Sequence, residues 1–472
     1  MLKKVVEQLQ DEQYQALHLD LSENRGEKFL KLLELCREPG LSDAQLREGV
    51  GVNQAAFYTL KSRLYDKVQQ FLFRTASDDR ADLLKNISSI PFLVNRSPRE
   101  TAISLLDHLE TALRRLDMPS ELISVYNALK KLHINSPRYY DYQQLYNRNV
   151  AYALALDKAD ELCALFTREL GEWMLSHNAE KKEILRLYLK EITSYSRLYD
   201  SHRLTVTRTL MSLSFALFVS GNNEVPESDE TAEELLKQLQ TIFCTHESDR
   251  QYRLLDIAWN YLNFEYYHRL GLHKNAAASL EKCNTEAENL LRLNHTIPAA
   301  WFLISRAERA AQVAPVSPDP VFRTSPDPED TFSFFCFHLG KAADYFQKQE
   351  YNAASAELNQ VINGMSFKNA TFAECQVKLF LGLNQLLAGK TESAEVVIRS
   401  ITRKLTGEEF ALRFAPAHAF ARFIKIALND STAQKRTKTE QAWNAFRQAN
   451  NGEDALLKFI VLNEKQLDQL AR

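Results

Sequence analysis

The apolar positions of this chain recur at steps of three and four almost from end to end. In "TAISLLDHLETALRRL" the stripe is Ala102, Leu106, Leu109, Leu113 and Leu116, a spacing that lines one face of an α-helix. "EKKEILRLYLKEITSY" and "TAEELLKQLQTIF" keep the same period. Sustained period-two alternation, the mark of half-buried strands, is lacking. The pattern predicts an all-α protein.

Breaks in the pattern divide it. Five of the 13 prolines, Pro315, Pro318, Pro320, Pro326 and Pro328, fall in "APVSPDPVFRTSPDPEDT", a composition that cannot form helix. A polar break at 220–234, "SGNNEVPESDETAEE", predicts a loop and an acidic helix start, and Pro39, Pro91 and Pro98 bracket the opening region. The expected organisation is an N-terminal helical module at 1–80 and a helical-hairpin solenoid at 81–314. A Pro-rich loop at 315–330 and C-terminal helical repeats at 331–472 follow.

Three stretches share a pattern of small and large residues. "LGLNQLLAGKTESAEVVIRSI" carries Leu381, Gly382, Gly389, Ala394 and Ile398. "ADYFQKQEYNAASAELNQV" sets Tyr345, Tyr351, Ala354, Leu358 and Val361 in the matching slots, and "EYYHRLGLHKNAAASLEKC" offers Tyr267, Gly271, Ala276, Leu280 and Cys283. A weaker copy, "VAYALALDKADELCALFTREL", supplies Tyr152 and Leu165 but has Glu161 where alanine is expected. The pattern resembles tetratricopeptide repeats, without their early tryptophan or trailing proline and with irregular repeat lengths. That resemblance implies a right-handed α-solenoid of stacked helical hairpins whose concave groove takes a peptide or helix of a partner.

The opening region has its own signature. In "LSDAQLREGVGVNQAAFYTLKSRLYDKVQQFL" Ser42 and Gln45 stand at capping-box spacing, Gly49 and Gly51 stop a short helix, and Asn53 can cap the next. This order resembles the helix-turn-helix domains of transcription regulators. Phe57, Leu60, Leu64, Val68 and Phe71 form one apolar stripe, expected to pack on helices around Phe29, Leu32 and Leu33. Arg63, Lys67 and Arg74 share a flank well away from it. DNA contact would use Asn53, Gln54, Arg63, Lys67 and Arg74. The long second helix and the lack of arginine in its first turns favour packing over base reading.

Composition narrows the chemistry. A net charge of −3 over 472 residues gives no global field for nucleic acid. Six scattered cysteines form no CxxC pair, so neither a zinc site nor a redox dithiol is expected. Only 13 glycines occur, well under the roughly 7% average, and no GxGxxG. "NQLLAGKT" ends like a phosphate-binding loop, but Asn384 replaces its first glycine and the flanks are helical, so an interhelical turn is expected. The start, "MLKKVVEQLQDEQYQ", turns polar before an apolar core of signal-peptide length, and no run of about 18 apolar residues occurs. The expectation is a soluble cytoplasmic protein that needs no membrane.

No catalytic motif is present, and no cofactor or metal is expected. His268 and His273 are five apart and do not share a helix face; they are read as satisfied structural histidines. The run holding Cys336 and His338, with Phe332, Phe334, Phe335 and Phe337, is read as a helix docking into core. Glu180, Glu183 and Glu191 read as a solvated face. Two aromatic runs are candidate partner anchors, because tyrosine and arginine offer large contact area with a polar tip. "SPRYYDYQQLYNR" provides Arg138, Tyr139, Tyr142 and Tyr146; "WNYLNFEYYHRL" provides Tyr266 and Tyr267. The expected role is a non-enzymatic scaffold or adaptor binding a protein or peptide. A DNA-binding regulator with a solenoid sensor is the second candidate.

Overall fold

Amphipathic stripes of this length close into helices once their apolar faces find one another, and that is the whole architecture here. In the computed structural model the described residues are all except 1, 8, 10, 24–26, 39, 76–78, 221–229, 248, 313–325, 407–413, 430–433, 453 and 472. The side chains at 4, 12, 23, 73–75, 79, 250 and 312 are also set aside. Helix accounts for 82% of the structure, and no strand occurs among the described residues. Most of the Pro-rich loop, including Pro315, Pro318 and Pro320, lies outside the described residues.

The chain forms two compact units, one of residues 1–113 and 124–142, the other of 114–123 and 143–472. The first contains a core drawn from residues 2–72, in which Phe57, Leu64, Val68 and Phe71 are buried with Leu32, Leu33, Cys36 and Leu46. Leu60 and Phe29 pack half-buried at its edge. Helix Asp43–Val50 starts on the expected capping box: Gln45 N–H donates to Ser42 Oγ while the Gln45 side chain reaches back to the Ser42 backbone. It ends on Gly51, whose φ of 72° is the left-handed conformation that closes helices at little cost to glycine. Gly49 does not stop the helix. It lies within it, where an added Cβ would sit 2.6 Å from Leu35 Cδ1, so its role is close approach.

In the second unit one core cluster extends from Leu156 to Leu470, with residues from both sides of the Pro-rich segment. Successive helices pack as adjacent pairs: Arg250–Arg269 with His273–Thr285, Thr331–Gln347 with Tyr351–Gly364, Thr371–Leu387 with Thr391–Leu405, and Ala415–Asn429 with Lys435–Ala449. The first three pairs turn in the same way. Gly271, Gln349 and Gly389, each five residues before the aligned alanine, have φ of 69°, 62° and 77°. The next residue's N–H bonds five back in every case: Leu272 to Tyr267 O at 2.9 Å, Glu350 to Tyr345 O at 2.9 Å, Lys390 to Gln385 O at 2.8 Å. This is a Schellman closure made three times. Ala276, Ala354 and Ala394 are all fully buried in the returning helix. A Cβ on Gly382 would meet Ile398 Cδ1 at 2.5 Å, so the two helices of that pair approach closely at this glycine.

The weak fourth copy is not a hairpin. Tyr152, Glu161 and Leu165 lie in one helix, Arg138–Ser176, of 39 residues. Nothing in the stretch around Asp157–Glu161 takes a positive φ, so the chain has no place to turn back. The Tyr152 hydroxyl instead bonds the buried Asp117 carboxylate, which Ser201 Oγ also meets at 2.6 Å.

Candidate functional site

The N-terminal module leaves part of its predicted DNA face open and uses up the rest. Asn53 and Gln54 are exposed at the start of the 22-residue helix Gln54–Thr75, and Tyr58 is 55% exposed. Asn53 Oδ1 accepts the Ala56 N–H at 2.9 Å, so this side chain works as the cap. Arg63 is exposed. Lys67 is not on an open flank as expected: it is half-buried with its ammonium 5.6 Å from the Phe29 ring centre. The Arg74 side chain lies outside the described residues. Lys61 adds no free cation, since it pairs with Asp43 at 2.7 Å.

The first tyrosine run is divided between an open tip and a packed base. Arg138 is exposed and Tyr139 half-buried; Tyr140 is 69% exposed and meets Tyr139 edge-on at 5.5 Å. Tyr142 stacks on Tyr126 at 6.5 Å and lies 5.2 Å from His133. Burial, with Asp107 and Glu110 nearby, pushes the Tyr142 hydroxyl above its usual range. Burial beside Arg99 and Arg138 pushes the His133 imidazole below its own. Tyr146, which belongs to the second unit, is half-buried. Tyr266 and Tyr267 also lie in the second unit, half-buried on its core and edge-on at 5.4 Å. Their backbone carbonyls close the first hairpin turn. The rest of that run packs: Tyr261 and Phe264 are buried, and Trp259 Nε1 donates to Leu236 O at 2.9 Å.

A cavity of about 380 Å³ in the second unit carries the polar chemistry that the sequence did not single out. Helix Arg250–Arg269 sends Glu265, His268 and Arg269 to it, and helix Phe302–Gln312 sends Ser305 and Glu308. Trp173, Trp301, Phe218 and Phe372 form apolar wall. Glu265 is 2% exposed, and its Oε1 has no hydrogen-bond partner among the described residues. Burial raises its carboxyl above the usual range, against the pull of Arg269 and the Ser305 hydroxyl. His268, its side chain 8% exposed, stacks on Phe264 at 5.5 Å and stands 3.9 Å from Glu308 Oε2. Its Nδ1 also lacks a partner among the described residues, so this histidine is not the satisfied one expected. His273 does have one, the Arg309 guanidinium.

The signal for Glu265 was present in the spacing. Ala258, Tyr261 and Leu262 are buried on one face of the helix, and Glu265 follows Tyr261 by four and Leu262 by three. A carboxylate on an apolar stripe marks either a buried pair or a site.

The other readings of structural residues have definite counterparts. Cys336 is buried with Phe332, Phe334, Phe335 and Phe337, and His338 pairs with Glu357 at 2.6 Å. "NQLLAGKT" is the third hairpin turn, with Asn384 fully buried and Lys390 bound to Asn352 at 2.7 Å. Among the described residues no group of histidine, cysteine and carboxylates could hold a metal ion, and no helix is long and apolar enough to cross a membrane. No family model, curated protein or solved structure matches the chain.

Proposed function

We propose that the chain is a non-enzymatic interaction scaffold whose second unit is a tetratricopeptide-like solenoid that holds a peptide or helix of a partner protein in its groove. The observation that carries this reading is the threefold turn, with one closure geometry and one buried alanine per hairpin. Hairpins that stack in one register set their first helices side by side, and such a row forms a continuous binding face. Tyr266 and Tyr267, at the end of the first of those helices, are the anchors in this reading, with Tyr146 of the same unit; Arg138, Tyr139 and Tyr142 are separate candidates on the first unit. A partner of protein chemistry in the cytoplasm suits an acidic chain with no field for nucleic acid.

The test is selection of a random peptide library on the purified full chain. Enrichment of one motif, whose affinity falls when Tyr266 and Tyr267 are changed to alanine, supports the scaffold. The regulator reading is favoured by one observation, the exposure of Asn53, Gln54 and Tyr58 at a helix start. It wins if the chain enriches no peptide and instead retains duplex DNA with a steep salt dependence that Arg63→Ala and Lys67→Ala flatten.

A further inference from the structure

A buried carboxylate oxygen without a hydrogen-bond donor is expensive to keep, because that atom gave up its water and met no donor in return. Glu265 Oε1 is in that position among the described residues, although the Ser305 hydroxyl reaches the same carboxyl, and His268 Nδ1, three residues on, is likewise buried without a partner there. Both line the one 380 Å³ cavity, so the missing partners converge on a single space. That volume suits an amino-acid-sized molecule or one long side chain.

The sign of the missing partner follows from which charges are buried and which are not. Glu265 and Glu308 lie inside, with side chains 2% and 14% exposed. The cations of the lining, Arg269 and Lys458, are exposed residues at its edge. Arg269 Nε stays 3.9 Å from Glu265 Oε2, too far for a hydrogen bond, while its guanidinium leans on the Phe218 ring at 5.5 Å. An anion entering here would face one buried and one half-buried carboxylate. A cation would meet them both, in a lining that also holds Trp173 and Trp301.

We infer that this cavity is a binding site for a guanidinium or primary ammonium group, donated to Glu265 and Glu308 within the aromatic wall. The group can belong to a small free molecule or to an arginine or lysine side chain of a peptide. In the second case the site deepens the scaffold reading; in the first it stands apart from it.

Calorimetric titration of the full chain separates these sources, with three probes: agmatine, a blocked pentapeptide Ala-Ala-Arg-Ala-Ala, and the same peptide with citrulline for arginine. Citrulline keeps the shape and removes the charge. Binding of agmatine or the arginine peptide is expected, with loss of about tenfold or more for citrulline and for Glu265→Gln, since a charge-assisted bond is replaced by a neutral one. Glu308→Gln gives a second variant with the same expected direction, and Glu395→Gln, in a partly exposed ion pair with Arg399 away from the cavity, is expected to leave binding unchanged. Agmatine binding alone assigns the site to a small molecule; peptide binding alone assigns it to a partner. The inference is overturned if neither cation binds, if citrulline binds as well as arginine, or if Glu265→Gln, still folded by circular dichroism, binds undiminished. Selected peptides whose binding ignores Glu265 would leave the scaffold standing and remove this site.

Discussion

The N-terminal module and the first hairpin of the second unit spend their polar groups differently. Within residues 2–72 the polar side chains near the core find partners in the module itself. Arg37 donates to the carbonyls of Val6 and Leu9 at 2.7 Å and to Asp11 at 2.6 Å; Ser42, Asn53 and Lys61 are tied as described. No buried side-chain polar atom of the described residues there lacks a partner. At Arg250–Arg269 the helix buries Glu265 and His268 and leaves each with an unmet atom in a cavity. The first arrangement is self-sufficient, so its polar residues explain stability. The second leaves one atom of each group unpaired in a cavity, the condition that the proposed ligand would relieve.

Two buried glutamates within the second unit sharpen that contrast. Glu374 is desolvated, but Lys378 at 2.6 Å and Lys404 outweigh the burial and hold its carboxyl below the usual range. Glu265 is desolvated without such a pair, and its carboxyl moves the other way. One glutamate belongs to the structure and is held ionised by it. The other is desolvated with no lysine beside it, and burial raises its carboxyl.

The largest expected effect separates the two units. All four tryptophans, Trp173, Trp259, Trp301 and Trp443, lie in the second unit, so their fluorescence reports on it alone. Phe335→Ala empties a fully buried site and is expected to cost about 3–5 kcal/mol in a denaturant melt followed by tryptophan emission. Phe57→Ala removes an equally buried ring from the first unit and should leave that melt in place while lowering the helical signal in circular dichroism. A shift of the tryptophan transition by Phe57→Ala would mean that the units melt as one.

Smaller effects test whether the three turns are equivalent. Gly389→Ala places a Cβ in the left-handed region and is expected to cost about 1 kcal/mol. Gln349→Gly, at the same point of the second hairpin, is expected to stabilise by several tenths to about 1 kcal/mol. Equal signs for the two would break the alignment. Acid sensitivity adds a finer check. Because Glu374 is held below the ordinary 4.5, its contribution is complete above that value and fades as pH falls through the lower folded one. Glu374→Gln should flatten that part of the stability profile and leave the neutral region merely lower.

Much of this fold was legible because helices declare themselves locally. The stripe at Ala102–Leu116, the capping box at Ser42 and the alanines at 276, 354 and 394 each need only a few neighbouring residues to be read. Gln349 was harder, since glutamine gives no hint that it will take a positive φ; the register of Ala354 was the better guide. The false repeat at Tyr152 failed for the complementary reason: small residues were matched, but no turn residue stood between them. The cavity was illegible because it joins residues 173, 265, 268, 305 and 308, and its meaning depends on partners being absent. Periodicity places Glu265 on a buried face but cannot say whether a lysine waits there, as for Glu374, or an open space.

A glutamate kept for a ligand costs the fold stability, and Glu265 is the residue at which that cost can be read. The most direct measurement is the melting temperature of Glu265→Gln against the unaltered chain as a function of pH, without ligand. The groups around the carboxyl are Tyr261, His268 and Arg269 on its own helix, Cys283 on helix His273–Thr285, and Ser305 and Glu308 on helix Phe302–Gln312. With the folded carboxyl raised above the ordinary 4.5, ionisation of the unfolded chain draws stability away as pH rises through that value and up to the folded one. Little difference between the two proteins is expected below 4.5, and a more stable Glu265→Gln at neutral pH. A Glu265→Gln chain that is less stable at neutral pH would contradict this expectation, because Glu265 would then be serving the fold.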